Sequence, residues 1–519
     1  MTDSILSRID ALRPYAQSLS GILRGIEKES LRITADGHLA QTSHPSAIGS
    51  ALTHPYITTD YSEALLEFIT PAFSSVGEPL DYLYRLHQFV YAQIGDEKLW
   101  TNSMPCILGD ELSIPIAEYG SSNSGRMKTI YRHGLWHRYG RKMQTIAGIH
   151  YNFSLPKEFW PIYREHVNPS LDSEIDFVST QYLSMIRNFH RYSGLIAYLF
   201  GASPAVCSSF LAGKQHNLDT WQSTTLYKPY ATSLRMSDLG YSNNEQSGLN
   251  ISYNCLHEYI TSLEWAMRTP HPEYEKLGVQ KDGQYMQLST SILQIENEYY
   301  GTIRPKRTTR RGERPSTALR RAGVEYIEMR CVDLNPFEPL GIDATQMRFL
   351  DTFGLFCLLE DSAPFTPDEQ AMCRRNFQAI VINGRDPALK LETPRGLVPF
   401  AEWATDLLQR MTATAELLSL AYSEPRYVDA IRAQIAKVEN PDQTPSARVL
   451  AWLRTEQSSF SRFALNCSLQ HEAYFKSHPL SPEWFGELNA TAENSIKEQE
   501  TLEHDKSVSF EHFLQNYFA

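Results

Sequence analysis

Apolar and polar positions alternate in four stretches of this chain, and a period of three to four residues dominates much of the remainder. Alternation predicts β-strands, because successive side chains of a strand point to opposite faces. The helical period covers most of residues 176–266 and nearly everything after about residue 343. Strand-like patterns return at 288–295 and 324–334. Strands separated by helices favour a parallel sheet, but the spacing is also compatible with an α+β fold.

The first alternating stretch, residues 23–33, carries Glu27 and Glu29 on the same face as its leucines and last isoleucine. Arg24, Lys28 and Arg32 lie on the other face. Two neighbouring inward carboxylates repel each other and are costly to ionise, and a divalent cation such as Mg²⁺ would relieve that cost. A solvated strand, or a helix with both glutamates in water, is the alternative interpretation.

The second stretch places Glu67 in Leu-Leu-Glu-Phe-Ile, where a strand would give it the same face as Leu65 and Ile69. A helix with Glu63 and Glu67 as an exposed pair fits the periodicity equally well. Asp60, which is typical of a turn or a helix cap, is a weaker candidate for the same chemistry.

The third stretch, residues 144–155, has an apolar face and a mostly polar one that carries Gln144, Gly148, His150 and Asn152. A glycine beside histidine and asparagine suits a sheet surface that a ligand approaches. A histidine with a purely structural role is the alternative.

The fourth stretch, residues 324–334, places Glu328 and Arg330 on one face. An acid that binds metal beside an arginine would hold a metal–phosphate assembly from both sides, whereas a simple salt bridge is the alternative. The stretch follows a basic segment, residues 304–321, with eight arginines and lysines. That segment suggests a site for a polyanion, either nucleotide phosphates or RNA, or else a solvated loop.

Composition narrows the function classes. Apolar residues make up 42% of the 519 and the formal net charge is −12, which argues against general nucleic-acid binding. The seven cysteines contain no C-x-x-C pair, and with no signal-peptide pattern at the start they indicate a reducing cytoplasm. The uncharged segment between Arg191 and Lys214 contains too many polar and helix-breaking residues for a membrane span, so we expect a buried helix and turn.

Several common catalytic motifs are absent. The chain has no G-x-G-x-x-G loop, no G-x-x-x-x-G-K-[ST] loop, no G-x-S-x-G elbow and no H-E-x-x-H. Any nucleotide must therefore be held by side chains and metal ions.

Together these segments resemble the proteobacterial type of glutamate–cysteine ligase (γ-glutamylcysteine synthetase). The resembling blocks run in order through the first two thirds of the chain: Arg-Gly-Ile-Glu-Lys-Glu-Ser-Leu-Arg from Arg24, Ile-Thr-Thr-Asp from Ile57, Ala-Leu-Leu-Glu-Phe-Ile-Thr-Pro from Ala64, Met-Gln-Thr-Ile-Ala-Gly-Ile-His-Tyr-Asn-Phe-Ser-Leu from Met143, Tyr-Leu-Phe-Gly-Ala-Ser-Pro-Ala from Tyr198, Ala-Thr-Ser-Leu-Arg from Ala231, Gln-Ile-Glu-Asn-Glu-Tyr from Gln294, Ile-Arg-Pro-Lys-Arg from Ile303 and Glu-Tyr-Ile-Glu-Met-Arg from Glu325.

The resemblance implies an α+β fold like the catalytic domain of glutamine synthetase, with a curved, largely antiparallel sheet. It implies one catalytic domain over residues 1–519, mainly helical from about residue 343. It also implies a set of ligands for Mg²⁺ or Mn²⁺ around the phosphates of ATP: Glu27, Glu29, Asp60, Glu67, His150 and Glu328.

The resemblance further implies contacts for each substrate. Arg132 and Arg330 would be catalytic through the transferred phosphoryl group and, with Lys28, would contact the nucleotide. Arg235, Ile146 and Gly148 would bind glutamate. The implied cysteine pocket is formed by Tyr61, Tyr131, Leu135, Gln144, Tyr241 and Tyr300.

In the implied reaction the γ-carboxylate of glutamate attacks the γ-phosphate of ATP, and the amine of cysteine then displaces phosphate from the γ-glutamyl phosphate. The product is the first intermediate of glutathione biosynthesis, and glutathione is expected to act as a feedback inhibitor. We expect a cytoplasmic monomer that binds no nucleic acid or membrane. Cys373 lacks a cysteine near its expected partner position, where Arg395 and Gly396 stand, so no disulfide is expected to control activity.

Two rival interpretations stay open. One is a carboxylate–amine ligase with the same metal site but another amine substrate. The other is an RNA-binding protein that uses the basic segment, although it leaves the inward glutamates unexplained.

Overall fold

The computed structural model describes residues 2–240, 249–310 and 312–518. The strands in chain order are β1 (Leu23–Ile33), β2 (Ile57–Thr59), β3 (Leu65–Ile69), β4 (Lys98–Leu99), β5 (Ile149–Ser154), β6 (Ala205–Cys207), β7 (Asp219–Trp221), β8 (Thr225–Tyr227), β9 (Gln280–Lys281), β10 (Gln284–Tyr285), β11 (Ile303–Lys306), β12 (Tyr326–Val332), β13 (Lys390–Thr393) and β14 (Gly396–Pro399).

The helices of the first two thirds are α1 (Thr2–Leu12), α2 (Gly77–Gln93), α3 (Asn123–Tyr139), α4 (Phe159–His166), α5 (Glu174–Tyr192), α6 (Gly194–Phe200), α7 (Leu256–Arg268), α8 (Pro272–Leu277) and α9 (Pro315–Ala322). Those of the last third are α10 (Ala344–Leu359), α11 (Pro367–Asn383), α12 (Phe400–Tyr422), α13 (Arg426–Glu439), α14 (Pro445–Thr455), α15 (Phe460–Ser477), α16 (Pro482–His504) and α17 (Phe510–Phe518).

The main sheet has the order β11-β12-β5-β1-β3-β2, with β4 also paired to β1. Every pairing in it is antiparallel. All four alternating stretches therefore contribute strands to one sheet, and the four strands from them are neighbours. The predicted α+β fold with an antiparallel sheet and a helical last third is confirmed, and the leaning toward a parallel sheet is wrong.

Strand β1 separates its ionisable side chains by face, as its alternation predicted. Glu27 and Glu29 point to one side of the sheet, where the glutamate side chains of β3 and β12 also lie. Arg24, Lys28 and Arg32 point to the other side and are buried there beneath helices and loops. On the glutamate face Glu29 and Glu328 are also buried, while Glu27 and Glu67 are half-buried. The glutamates thus point into the protein as the alternation predicted, on the less completely covered face.

The two arginines behind the sheet, Arg24 and Arg32, are each paired with a carboxylate. The Arg24 Nε donates to Asp351 Oδ2 at 2.7 Å, and both side chains are fully buried. Asp351, on α10, also accepts from the Tyr151 hydroxyl at 2.7 Å. Two tyrosines of α12 and α13, Tyr422 and Tyr427, accept from the other end of the same guanidinium. This network fastens the helical last third of the chain to the central strand.

Two local predictions need correction. Residues 288–295 form no strand, because side chains satisfy their backbone donors: Gln294 Oε1 accepts from the Leu288 N–H and Glu298 Oε2 accepts from the Gln294 N–H. The middle of the chain is also less helical than predicted, since β6, β7 and β8 form a small sheet of order β6-β8-β7.

The uncharged segment after Arg191 forms the buried helix α6 and then strand β6. Across the residues that the structure describes, we find no helix long and apolar enough to cross a lipid bilayer.

We predict that Asp351→Ala lowers the free energy of unfolding by about 3–5 kcal/mol, because it leaves a buried guanidinium without its charge partner. Urea unfolding followed by circular dichroism measures the change. The matched control is Arg375→Ala, which removes an exposed pair with Glu392. We expect that control to unfold like the wild type, and equal destabilisation by both variants would contradict the prediction.

Candidate functional site

The open face of the main sheet brings three metal-ligand side chains together from three adjacent strands. Glu27 of β1 lies directly opposite His150 of β5, and Asn152 of β5 lies opposite Glu328 of β12. His150 Nδ1 is 3.0 Å from Glu27 Oε2 and 3.8 Å from Glu328 Oε1. One ligand atom from each of the three residues lies within 4.8 Å of the others, which is close enough for all three to hold one ion.

A second group of carboxylates adjoins the first. Glu29 of β1 is paired in register with Glu67 of β3, and Asp60 comes directly after β2. Glu29 Oε1 is 3.8 Å from His150 Nε2, so the two groups share the imidazole. The negative charge of Asp60 reaches both Glu29 and Glu67 and disfavours their ionised forms.

Charge compensation differs between the two groups. Burial, followed by the charge of Asp60, raises the pKa of Glu29 to about 8. Burial and the neighbouring Glu27, Asp60 and Glu29 raise the pKa of Glu67 well above its usual range. Burial also opposes ionisation of Glu328, but Lys306, Arg330 and His150 outweigh it and hold the pKa of that carboxyl well below its usual range. The second group therefore lacks the positive charge that the first already has.

Arg330 and Lys306 supply the positive charge of the first group, Glu27, His150 and Glu328. Arg330 Nη1 lies 3.1 Å from Glu328 Oε2 and 3.4 Å from His150 Nδ1. Lys306 Nζ lies 3.3 Å from Glu328 Oε1. Despite burial, the carboxylates of Glu328 and Glu27 keep the pKa of Lys306 above its usual value, so its ammonium stays charged.

Arg235 lies beside this cluster and is positioned by Asp333. Arg235 Nη1 is 3.6 Å from Asp333 Oδ1, and Nη2 donates to the Arg330 carbonyl at 2.8 Å. A methyl group at Gly148 would lie 2.0 Å from Arg235 Nη2, so only glycine leaves room for the guanidinium. The Gly148 N–H donates to Glu29 Oε2 at 2.7 Å and links Arg235's position to the carboxylates.

A cavity of about 510 Å³ opens from the cluster. Its inner end is lined by His150, Arg235 and Arg330, and its outer end by residues of α11 that include Cys373 and Arg374. Tyr300 lines the cavity and exchanges a hydrogen bond with the Gln144 side chain, with the two atoms of each pairing 3.1–3.2 Å apart.

Helix α3 flanks the same region with Tyr131, Arg132 and Leu135. The Arg132 Nε donates to the Asp60 carbonyl, and its guanidinium lies 4.4 Å from the centre of the Tyr119 ring. Burial raises the pKa of Tyr131 well above its usual value, and the nearby Glu298 and Tyr300 add to the shift. Burial also raises the pKa of Tyr61, whose nearby charges include Arg132 and Tyr300. Ile146 is buried just before β5.

Of the residues proposed from the sequence, the structure brings together those of the two carboxylate groups with Arg235, Gly148 and Arg330, and Tyr131, Arg132, Gln144 and Tyr300 adjoin them. Two other proposed residues differ. The prediction that Lys28 contacts the nucleotide is wrong, because its ammonium lies behind the sheet, 2.7 Å from His87 Nε2. Tyr241 lies outside the described residues. The sequence indicated Lys306 only as part of the basic segment. Pairing of β11 with β12 places Lys306 on the same face of the sheet as Glu328.

Most of the described arginines of the basic segment have partners within the chain. Arg307 pairs with Glu325, Arg314 and Arg320 with Glu264, and Arg321 with Glu313. Arg304 donates to the carbonyls of Asn297 and Tyr299. Acidic partners thus offset the positive charge of four described arginines in the segment.

Sequence comparisons identify similar proteins. The family model described as glutamate-cysteine ligase matches residues 9–380. The glutamate–cysteine ligase of Alcanivorax borkumensis is 52% identical over 508 residues, which are 97% of each chain. That of a Pseudomonas aeruginosa strain is 51% identical over 521 residues, covering 100% of this chain and 98% of the relative.

The comparison with solved structures gives a result consistent with the sequence comparisons. A crystal structure of glutamate–cysteine ligase from Francisella tularensis in complex with AMP matches with a TM-score of 0.90 and 36% identity, covering 96% of this chain and 97% of that one. A bifunctional glutathione synthetase from Pasteurella multocida matches with a TM-score of 0.73 and 24% identity, covering 93% of this chain and 57% of that one. The second match shows the fold alone.

We predict that Gly148→Ala displaces the Arg235 guanidinium and destabilises the fold by about 1–3 kcal/mol, the usual effect of overpacking a filled site. Thermal unfolding and a crystal structure of the variant measure both effects. Gly77→Ala is the control, because a methyl group at Gly77 would meet nothing within 4 Å. A variant that melts like the wild type with Arg235 unmoved would show that the contact is not restrictive.

Proposed function

The chain belongs to the glutamate–cysteine ligase family, and on that premise we propose which of its residues perform the ligation. Members of this family join glutamate to cysteine with ATP, and this chain accordingly catalyses ATP-dependent formation of γ-glutamylcysteine, the first step of glutathione biosynthesis. The observation that supports our assignment most strongly is the convergence of Glu27, His150 and Glu328 beside Arg330 at the inner end of the cavity.

We assign divalent cations, Mg²⁺ or Mn²⁺, to the two carboxylate groups. The donor atoms are mainly carboxylate oxygens, which these ions prefer, and the buried His150 Nε2 has no hydrogen-bond partner among the described residues. Glu27, His150 and Glu328 would hold one ion, and Glu29, Asp60 and Glu67 another. Bound there, the cations would neutralise charge on the phosphates of ATP.

Arg330 and Arg132 are the proposed catalytic residues for phosphoryl transfer. Each is fixed by the chain before any substrate binds, Arg330 by Glu328 and Arg132 by the Asp60 carbonyl. Fixed positive groups stabilise developing charge without reorganising during the reaction. Lys306 adds a third positive charge to the same side and takes the place of Lys28 in our assignment.

Glutamate is proposed to bind beside Arg235, with Ile146 and Gly148 forming the adjacent wall. Its γ-carboxylate oxygen attacks the γ-phosphorus of ATP, the bond to the bridging oxygen breaks, and ADP leaves. The product of this step is γ-glutamyl phosphate. Because Arg235 is held by Asp333 and by the Arg330 carbonyl, glutamate and the phosphoryl group are positioned by directly connected residues.

Cysteine is proposed to bind in the pocket formed by Tyr61, Tyr131, Leu135, Gln144 and Tyr300. Its amine attacks the acyl carbon of γ-glutamyl phosphate, loses a proton and releases phosphate, so the reaction needs no protein nucleophile. Buried aromatic rings restrict water there and protect the acyl phosphate from hydrolysis.

We further propose that the chain acts as a single domain and as a monomer, since one chain supplies every residue of the site and one hydrophobic core extends from Ile5 to Ala492. All seven cysteines are free, which suits a reducing cytoplasm. Glutathione contains the γ-glutamylcysteine unit, so we propose that it competes for the same pockets as a feedback inhibitor.

We predict that Glu328→Gln lowers the rate of cysteine-dependent ADP release by about 100-fold or more, because it removes a charged ligand and leaves Arg330 and Lys306 without their shared partner. A coupled ADP assay with glutamate, ATP and Mg²⁺ measures the rate. Glu273→Gln, which removes a surface pair with Lys276, should retain wild-type activity.

The same assay tests the amine substrate. Cysteine should stimulate ADP release by the wild type more than 2-aminobutyrate and other amines do. Stimulation by another amine but not by cysteine would favour a different carboxylate–amine ligase. Salt-dependent RNA binding that survives Glu27→Gln would instead favour the RNA-binding interpretation.

Removal of divalent cations gives a separate prediction. Chelation should abolish ADP release, and Mg²⁺ or Mn²⁺ should restore it. Electron paramagnetic resonance should show bound Mn²⁺ in the wild type and about tenfold weaker binding in Glu29→Gln, because a ligating charge is lost. Unchanged Mn²⁺ affinity would remove Glu29 from the proposed ligand set.

A further inference from the structure

The last helix of the chain, α17, packs against α3. Phe510 forms a small hydrophobic cluster with Met127 and Ile130 of α3 and with Leu288 and Ile295, separate from the main core. Phe510 is almost fully buried, and its ring lies 5.4 Å from that of Tyr285 and 4.1 Å from the Arg126 guanidinium. One face of α3 therefore depends on the C-terminal residues for its apolar contacts.

Polar contacts fix the start of α3 to the same C-terminal segment. The Ser121 N–H donates to Glu503 Oε1 at 3.0 Å, and Asn123 Nδ2 donates to the Val508 carbonyl at 2.9 Å. Gly120 allows the close approach: its φ is +78°, and a methyl group there would lie 1.8 Å from Glu503 Oε1. The C-terminal segment thus holds both the beginning of α3 and one of its faces.

Neighbouring residues of α3 reach the ligase site. Arg132 donates to the Asp60 carbonyl, next to the second carboxylate group. Tyr131 packs against the cluster of Phe510 and also lies near Tyr300 and Arg132. A displacement of α3 by loss of the Phe510 contact would therefore move Tyr131 and Arg132 within the site.

We propose that α17 is a positioning element of the ligase site, with Phe510 as its principal positioning residue, acting through α3 on the cysteine pocket. The proposal rests on the proposed function, because it takes Tyr131 as part of that pocket. Phe510 itself touches no substrate in this arrangement. It sets where Tyr131 and Arg132 stand relative to the sheet, whereas Arg235 and Gly148 are held by other elements.

The test is Phe510→Ala in the full-length protein. We expect the KM for cysteine to rise about tenfold, since small displacements of positioning groups have large effects. The KM for glutamate should change less than about twofold, because Arg235 and Gly148 are held by Asp333, Arg330 and Glu29 and share none of these partners with Phe510. Phe510→Leu, which keeps apolar volume, should restore most of the cysteine affinity.

The matched control is Phe485→Ala in α16. Phe485 is a partly buried phenylalanine of the same terminal region, but its ring packs on Phe89 of α2 and it does not belong to the cluster that Phe510 forms with α3 among the described residues. It should lower the melting temperature without changing the KM for cysteine. Equal changes in all KM values for the two variants, or an unchanged KM for cysteine in Phe510→Ala, would overturn the proposal.

Two further measurements keep the proposal testable. If Phe510→Ala does not fold, Arg126→Ala removes the cation from the Phe510 ring and should raise the KM for cysteine in the same direction, by about twofold. An unchanged KM for cysteine in Arg126→Ala would then count against the proposal.

Hydrogen exchange of residues 123–139 should be faster in Phe510→Ala than in Phe485→Ala. Hydrogen exchange can be measured without enzyme activity. Absence of cysteine-dependent ADP release in the wild type would contradict the proposed function. Unchanged exchange would overturn only the positioning role of α17.

Discussion

The central strand β1 carries ionisable side chains on both faces, and both faces are removed from bulk water. Each of these groups therefore needs compensation, because an uncompensated buried charge is costly. Behind the sheet the two arginines are compensated within the chain, since Asp351 neutralises Arg24 and Glu97 neutralises Arg32. Burial lowers the pKa of Lys28, which lies beside His87, to about 7. On the open face compensation is only partial, since Arg330 and Lys306 serve Glu328 while Glu29 and Glu67 keep raised pKa values. One side of the sheet thus carries paired arginines and the other an electrostatically incomplete group of carboxylates, which is where we propose that metal ions and substrates bind.

Local pattern predicts a specific part of this arrangement. Alternation alone assigned Glu27 and Glu29 to one face of β1 and the cations to the other. It also grouped Glu328 with Arg330 and His150 with Asn152, and all these groupings are present in the structure. Alternation does not predict which strands pair with each other. The order β12-β5-β1-β3 brings the four stretches together, and here the family resemblance, not the periodicity, supplied the expected convergence.

The incorrect predictions have physical causes of the same kind. Residues 288–295 alternate like a strand, yet glutamine and glutamate side chains satisfy backbone donors that a neighbouring strand would otherwise satisfy. The family resemblance implied that Lys28 contacts the nucleotide. Its position in β1 instead puts its side chain behind the sheet, where it hydrogen-bonds to His87. In that case the simple alternation was the better guide. The role of α17 had no signal in local sequence, because its contacts with α3 join residues as far as 385 positions apart.

The separation of the cluster residues along the chain has a consequence for how the protein is made. Glu27 and His150 are 123 positions apart, and His150 and Arg330 are 180 apart. A growing chain therefore exposes its first acidic strand long before the strand that carries Glu328 and Arg330 has been synthesised. Pairings between such distant segments form slowly and late. Ribosome-bound intermediates shorter than β12 consequently carry the acidic residues without the geometry that brings them together.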